Sequence, residues 1–192
     1  VSGEGLGEAA LAYSLRAIET IYGVKREHGE IRRININIAA LPVEAYRELK
    51  QAGVGTYQLF QETYHAGTFS RMHPRGPKAD YLYHLTAMDR AMQGGIDDVG
   101  VGVLFGLYDY RFEVLAMLQH IRHLEETFGV GCHTISLPRI EPATGSDLSL
   151  HPPHAVPDAD FRKIIALLRL TLPYTVMILS TRENADMRRE AF

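Results

Sequence analysis

The chain has 192 residues, 46% of them hydrophobic, and a formal net charge of −3 with neutral histidines. This composition is typical of a globular domain, and the lack of a Lys/Arg-rich stripe argues against nucleic acid or an anionic membrane as a partner. No apolar run approaches the roughly 20 residues of a membrane-spanning helix, and the first residues lack a signal-peptide pattern. We therefore expect a cytoplasmic protein that acts on small polar molecules.

Strand-like and helix-like segments alternate along the chain, which predicts βα units around a parallel sheet. Apolar residues at three- and four-residue spacing predict helices at 8–22, 43–51, 80–92, 111–128 and 159–171. Apolar and alternating runs predict strands at 31–39, 56–63, 98–105, 133–140 and 175–181, and a first strand that ends at 1–4. These are about six of the eight units of a TIM-type barrel, so the predicted fold is a partial (β/α) barrel with parallel strands and outer helices. We interpret residues 1–192 as a single domain and a fragment of a longer protein.

The strand predicted at 31–39 alternates isoleucine with polar residues, so Asn35 and Asn37 share a face with Arg33. The helix-covered side of a barrel is apolar, and the asparagines are therefore expected to face the interior. Buried amides need hydrogen-bond partners, which favours a lumen filled by water or ligand over packed aliphatic side chains. In the alternative interpretation, the asparagines only hydrogen-bond each other and the neighbouring strands.

Several longer motifs resemble a known family. The runs FQETYHAGTFSRMHPRGPKADYLYHLTAMDRA, GLYDYRFE, GCHTISLPRIEPA and ILSTRE strongly resemble the HydG family, the radical S-adenosylmethionine (SAM) tyrosine lyases that mature [FeFe]-hydrogenase. The resemblance spans essentially the whole chain. The tyrosine lyase of thiamine biosynthesis, 2-iminoacetate synthase, shares the QETY, SLPR-like and STRE elements but is less similar at MHPRGPK, YHLTAMDRA and GLYDYRFE. It is the alternative assignment.

The resemblance implies a radical SAM barrel with 4Fe-4S clusters. One cluster, held by a CxxxCxxC loop, cleaves SAM reductively, and a C-terminal domain carries a second cluster with an additional iron. The 5′-deoxyadenosyl radical then abstracts hydrogen from free L-tyrosine, whose Cα–Cβ bond breaks to give p-cresol and dehydroglycine. Dehydroglycine is the source of CO and cyanide for the hydrogenase H-cluster, and hydrogenase maturation proteins are the implied partners. Both cysteine motifs are absent from this sequence. We therefore expect the cluster ligands to lie outside this chain and the isolated fragment to be inactive, as an inert scaffold or binding module.

The resemblance also implies where SAM binds. Ser2, Gly3 and Glu4 match the element that binds the methionine amino group, and glycine with an acidic residue suits an ammonium ligand. Glu62, at the end of a predicted strand, matches the position that binds the ribose hydroxyls, as acidic residues do in dinucleotide folds. In the alternative interpretation, Glu62 forms a structural ion pair with an arginine such as Arg33.

A third SAM contact is implied in the strand VGVGVLFGL, where Gly102, Val103 and Leu104 match the wall against which adenine lies. Glycines would let the base approach the backbone closely, here at Gly102 and at the neighbouring Gly100 and Gly106. On composition alone, this segment is a buried parallel strand.

Substrate contacts are expected from arginines at strand ends, where barrel active sites are built. Arg139 and Arg182 can each clamp a carboxylate, either of tyrosine or of SAM, and the alternative for each is a rim salt bridge. Ser136 is a supporting donor, and Asn35 and Asn37 line the predicted lumen.

The region around residue 132 is the candidate metal site. His133 begins the predicted sixth strand, and the resemblance implies that it binds the additional iron of the second cluster in the full-length protein. Cys132 is the single cysteine, which excludes an all-cysteine metal site in this chain. Adjacent strand residues point to opposite faces, so a Cys-His pair is not expected and we assign Cys132 a structural role.

Overall fold

A computed structural model describes residues 7–191 of the chain. Ser2, Gly3 and Glu4, together with the strand expected at 1–4, lie outside the described residues. The chain divides into two compact units: the first contains the residues up to Leu59 together with His73–Gly100, and the second contains Phe60–Met72 together with the residues from Val101 onward. The expected single domain stays a prediction.

The strands form a short ribbon and a parallel sheet. Lys25–Arg26 (β1) pairs antiparallel with Gly29–Glu30 (β2), a ribbon that the sequence did not predict. Five strands then follow one another in the sheet in chain order. They are Ile34–Asn37 (β3), Val54–Glu62 (β4), Val99–Val103 (β5), Thr134–Ser136 (β6) and Val176–Ile178 (β7). The predicted parallel arrangement with outer helices is confirmed.

The helices occupy the segments between the strands. They are Gly7–Tyr22 (α1), Val43–Gln51 (α2), Ala66–Met72 (α3), Tyr81–Leu85 (α4), Ala87–Gln93 (α5), Tyr110–Phe128 (α6), Asp147–Leu150 (α7), Asp158–Thr171 (α8) and Ala185–Ala191 (α9). Within residues 7–191, no helix combines the length and the apolar content needed to cross a membrane.

Two predicted elements differ from the structure for local reasons. The helix predicted at 80–92 is two helices, because α4 ends and α5 begins at Thr86, whose hydroxyl donates to the Leu82 carbonyl over 2.8 Å. The strand predicted at 133–140 shortens to β6, because Pro138 has no N–H for a ladder. Its carbonyl instead accepts from the Phe105 amide over 2.8 Å.

Polar and apolar residues alternate along β3, whereas the lumen expected beside Asn35 and Asn37 stays a prediction. Asn35 and Asn37 are exposed, whereas the alternating Ile34 and Ile36 are less exposed. Part of this polarity is structural, because the Arg33 guanidinium donates to Asn35 Oδ1 over 3.3 Å and to Thr56 Oγ1 over 2.8 Å, and pairs with Asp98. The Arg33 guanidinium thus has Asp98 as an ion-pair partner.

The core of the first unit contains an edge-to-face tyrosine pair. Tyr46 and Tyr57 are fully buried, and their ring centroids lie 4.8 Å apart at an interplanar angle of 67°. The Tyr57 hydroxyl donates to the Ile38 carbonyl over 3.1 Å, and the Tyr46 hydroxyl accepts from the Leu41 amide over 3.1 Å. Burial raises the pKa of Tyr46 to about 12, so both hydroxyls remain neutral hydrogen-bonding groups at neutral pH.

The second unit is organised around helix α6. The Asp109 side chain caps its first turn by accepting from the Arg111 amide over 2.8 Å, and Gly129 ends the helix at a φ of 74°. Met117, Ile121 and Leu124 recur on one face and are fully buried. Each buried side chain of this size contributes roughly 1.5–3 kcal/mol, so this face anchors the central and later turns of the helix.

Replacing Tyr57 with phenylalanine tests the buried hydroxyl. The variant loses the donor to the Ile38 carbonyl, so we expect the free energy of unfolding to fall by about 1 kcal/mol in urea denaturation followed by circular dichroism. The same change at Tyr13, whose side chain is 52% exposed, should change it by less than roughly 0.5 kcal/mol. A Tyr57→Phe variant as stable as the parent would contradict the role of this hydrogen bond.

Candidate cofactor-binding site

Glu62 ends strand β4 in an unusual backbone conformation. Its φ is 64°, and among the described residues it is the one non-glycine residue with a positive φ. The Thr63 amide donates to the Gln61 carbonyl over 2.8 Å, so Glu62 is the central residue of a γ-turn of the strained, positive-φ kind. Such strain persists only where the surrounding structure enforces it, and it is found preferentially at functional sites.

The structure enforces this turn from both sides. The Glu62 carbonyl accepts from the Leu104 amide over 2.8 Å. On the other side, the carboxylate of Glu113 accepts from the Thr63 hydroxyl and, over 2.8 Å, from the Tyr64 amide. Thr63 is itself buried, and its Oγ1 accepts from the His65 amide over 3.1 Å. The turn is therefore held at the strand end with the Glu62 side chain partly exposed.

Glu113 was not identified from the sequence. It lies in the first turn of α6, and its side chain is buried with the apolar face of that helix. Burial raises its pKa, while the hydrogen bonds from Thr63 and Tyr64 act in the opposite direction. The one sequence signal is an acidic residue on the core side of an amphipathic helix, where a charge needs a partner.

Two tyrosines, Tyr64 and Tyr108, pack near this turn. Tyr64 is buried, and its hydroxyl lies 2.9 Å from His120 Nδ1. The ring of Tyr108 stacks on His65 with centroids 3.8 Å apart and planes 2° apart, and His65 Nδ1 lies 2.9 Å from Thr68 Oγ1. These contacts give His65 a fixed orientation beside the turn.

The glycine at position 102 of the VGVGV strand is required by contacts within the protein. A Cβ on Gly102 would lie 2.8 Å from the Ser136 carbonyl oxygen and 3.1 Å from a ring atom of Phe60, so the close approach at Gly102 is to protein and not to an open cradle for a base. Val103 is fully buried, and the amide of Leu104 already donates to Glu62. Protein packing is therefore sufficient to explain this glycine, and the adenine contact of Gly102, Val103 and Leu104 stays a prediction.

Arg139 is engaged within the protein. Its Nε and Nη2 donate to the two carboxylate oxygens of the buried Glu183 over 2.8 and 2.6 Å, and its Nη1 donates to the Val156 carbonyl and to Asp158 over 2.9 and 2.8 Å. The guanidinium also lies 4.5 Å from the ring centroid of Phe161. The two nitrogens that would bind a substrate carboxylate are already bonded to Glu183. The structure therefore supports the alternative role of Arg139, a salt bridge within the protein.

Arg182, unlike Arg139, has an exposed side chain. It lies in the turn between β7 and α9, where its amide donates to Ser180 Oγ over 3.1 Å and the Glu183 amide to the Ser180 carbonyl over 3.2 Å. Its guanidinium is exposed and has no hydrogen bond or ion pair within the described part of the chain. Because Glu183 is locked to Arg139, the turn that carries Arg182 is fixed while its side chain stays accessible.

The remaining predicted residues lie on β6 and just before it. Ser136 is buried, and His133 is exposed with its carbonyl accepting from the Val176 amide over 2.9 Å. Cys132 is buried and His133 is exposed, and neither of them lies within β6. Burial raises the pKa of the Cys132 thiol to about 12.

The described residues do not fit an iron–sulfur cluster. Such clusters are held by several cysteine thiolates, and the chain has one cysteine, which is protonated at neutral pH because of its raised pKa. Among residues that the structure describes, no group of three or more His, Cys, Asp or Glu side chains is arranged to hold a metal ion. The Glu62 carboxylate, by contrast, is suited to accept from the hydroxyls of a ribose.

Solved structures match this chain closely. A crystal structure of HydG, a maturase of the [FeFe]-hydrogenase, has a TM-score of 0.90 and 57% identity over 96% of this chain. HydG from Carboxydothermus hydrogenoformans has a TM-score of 0.85 and 43% identity over 98% of it. The chain belongs to the HydG family. The family resemblance drawn from the sequence motifs is thus confirmed.

Curated relatives and a family model extend this result. The 2-iminoacetate synthase of Escherichia coli (strain K12) is 30% identical to this HydG-family chain over 189 residues, 98% of the chain. Residues 136–192 match the model of the Biotin and Thiamin Synthesis associated domain. The chain spans 48% of the synthase and 40% and 42% of the two HydG chains, so it corresponds to under half of each.

Two substitutions at Glu62 separate the strain of the turn from its carboxylate. Both Glu62→Gly and Glu62→Ala remove the carboxylate, but glycine alone adopts a φ of 64° without a steric penalty. We expect Glu62→Gly to be more stable than Glu62→Ala by about 1 kcal/mol in urea denaturation. Equal stabilities of the two variants would contradict the inference that the backbone of Glu62 is strained.

An exposed helical residue provides the control for this comparison. Glu126 lies in α6 with a side chain that is 63% exposed. There the order should reverse, because glycine destabilises a helix by roughly 1 kcal/mol relative to alanine.

Proposed function

We propose that this chain is part of a radical SAM lyase that cleaves free L-tyrosine to p-cresol and dehydroglycine. Dehydroglycine would supply the CO and cyanide for the [FeFe]-hydrogenase H-cluster. The protein would act in this assembly with hydrogenase maturation partners. The observation that carries this proposal is the 57% identity to a HydG maturase over 96% of the chain. The strained turn at Glu62 supports it independently, because strain of this kind is concentrated at ligand sites.

In this proposal, the residues at the carboxyl ends of the strands bind SAM. Glu62 accepts from the ribose hydroxyls, backbone groups of the segment Gly102, Val103 and Leu104 lie near the nucleoside, and the segment 2–4 binds the methionine amino group. A reaction of this class would need SAM and a reduced 4Fe-4S cluster, which together would supply the abstraction of a hydrogen atom from tyrosine. The cluster ligands belong to parts of the protein outside this chain.

Arg182 is the proposed ligand of the tyrosine carboxylate. Its guanidinium is exposed at the carboxyl end of β7 and has no ion pair within the described residues, whereas Arg139 is occupied by Glu183. An arginine fork matches a carboxylate bidentately, which fixes the orientation of an amino-acid substrate. Ser136 stays a supporting donor in this proposal, and the polar face of β3 stays a part of the lumen lining.

His133 is the proposed ligand of the additional iron of the second cluster in the full-length protein. Its exposure at the start of β6 leaves the imidazole accessible, and imidazole is a suitable ligand for iron. The cytoplasmic location expected from the sequence stays a prediction.

The proposed reaction is tested with the full-length protein after cluster reconstitution. Incubation with L-tyrosine, SAM and dithionite should release p-cresol, detected by chromatography, and omission of SAM should abolish it. No p-cresol from protein that contains its clusters would overturn the proposal. The isolated chain should be colourless and free of iron, because it has one cysteine.

The second candidate function is a 2-iminoacetate synthase of thiamine biosynthesis. It is favoured by the 30% identity to the Escherichia coli synthase and by the match at residues 136–192. Both functions release p-cresol, so the discriminating measurement is CO, trapped by deoxymyoglobin, and cyanide. The maturase should form both, whereas the synthase should release dehydroglycine, recovered as glyoxylate, without them.

Replacing Arg182 with alanine tests its proposed ligand. We expect the KM for tyrosine to rise at least about tenfold, since a charged hydrogen bond is lost, with the KM for SAM changing less than roughly twofold. Arg189→Ala is the matched control, because Arg189 is exposed on α9 and pairs with Asp186. A rise in the KM for SAM alone would assign Arg182 to the SAM carboxylate instead.

A further inference from the structure

The turn at Glu62 depends on contacts made by the two residues that follow it. Thr63 and Tyr64 have almost no exposed surface, and neither lies in a helix or a strand that would hold its backbone. Glu113 restrains both of them, because it accepts from the hydroxyl of the first and the amide of the second. Because these contacts follow Glu62 directly, they limit how the backbone can relax from its φ of 64°.

Glu113 is itself held in place by its helix. It lies four residues after the cap Asp109, and the next turn places Met117 in the buried core. A carboxylate near a helix N-terminus is favoured by the helix dipole, which offsets part of the free energy of burying it. The side chain therefore forms a rigid link between α6 and the end of β4.

We propose that Glu113 is a positioning residue for SAM binding, which acts by holding the Glu62 carboxylate in the orientation that receives the ribose. The inference rests on the proposed role of Glu62 as the ribose ligand. Glu113 does not contact SAM in this arrangement, since its two oxygens face Thr63 and Tyr64 and its side chain is buried. Its effect on binding should therefore disappear when the Glu62 carboxylate is absent.

This dependence defines a double-mutant cycle on the full-length protein with its clusters in place. The dissociation constant of SAM is measured by calorimetry for the parent, Glu62→Ala, Glu113→Ala and the double variant. We expect each single substitution to weaken binding by about tenfold, the loss of roughly one charged hydrogen bond. Adding Glu113→Ala to the E62A variant should raise the dissociation constant of SAM by less than about twofold more. The reason is that the effects of residues acting through one contact are not additive.

Further variants separate positioning from loss of stability. Glu113→Gln keeps one acceptor oxygen for the Tyr64 amide and a donor for Thr63 Oγ1, so it should recover most of the binding lost in Glu113→Ala. Thr63→Val removes the hydroxyl alone and should weaken SAM binding by a few fold even if Glu113→Ala does not fold. Leu124→Ala lies on the same helix, is buried away from the turn, and should lower the melting temperature without changing the dissociation constant.

The outcomes distinguish the two levels of the proposal. If Glu62→Ala binds SAM as tightly as the parent, the role of Glu62 is wrong and the role of Glu113 falls with it. If Glu62→Ala weakens binding but Glu113→Ala and Thr63→Val do not, or the losses in the cycle add, the positioning role alone is overturned. A KM for tyrosine that rises as much as the dissociation constant of SAM would also overturn it.

Discussion

The buried carboxylate of Glu113 is the constraint on which the candidate site depends. It links α6 to the end of β4 through Thr63 and Tyr64, and so enforces the left-handed backbone of Glu62. Backbone strain and a buried charge both oppose folding, and here each is compensated by the same hydrogen bonds. The packing of α6 therefore limits where the partly exposed carboxylate of Glu62 can lie.

The two arginines of the second unit show how burial assigns a role. Arg139 and Arg182 are both placed near strand ends, and either suits a carboxylate ligand. Arg139 is instead saturated by Glu183, Val156 and Asp158, because its buried guanidinium needs acceptors from the protein. The ion pair with Glu183 fixes the turn that carries Arg182, so the structural arginine supports the accessible one.

Much of the fold follows from local patterns. The periodicity of 43–51 and 111–128 predicts α2 and α6 within one residue of their ends, because amphipathic faces and terminal glycine signals agree there. The break at Thr86 coincides with the hydrogen bond of its hydroxyl to the Leu82 carbonyl, and β6 shortens because Pro138 has no N–H. The periodicity of side chains reports neither effect. Helix α3 was missed because AGTFSRM is short and lacks an apolar repeat.

The sequence alone determined the family and the parallel βα order, and it singled out Glu62 as a candidate ligand-binding residue. Motifs and periodicity suffice for this because they are local properties of the chain. It also determined that this chain cannot hold an iron–sulfur cluster by itself, since it has one cysteine. The tertiary structure decided which of two similar arginines has no ion pair among residues 7–191, what packs against Gly102, and that Glu113 holds the turn at Glu62. These depend on which side chains far apart in sequence compete for the same buried donors and acceptors, and that competition is settled only when the chain is folded.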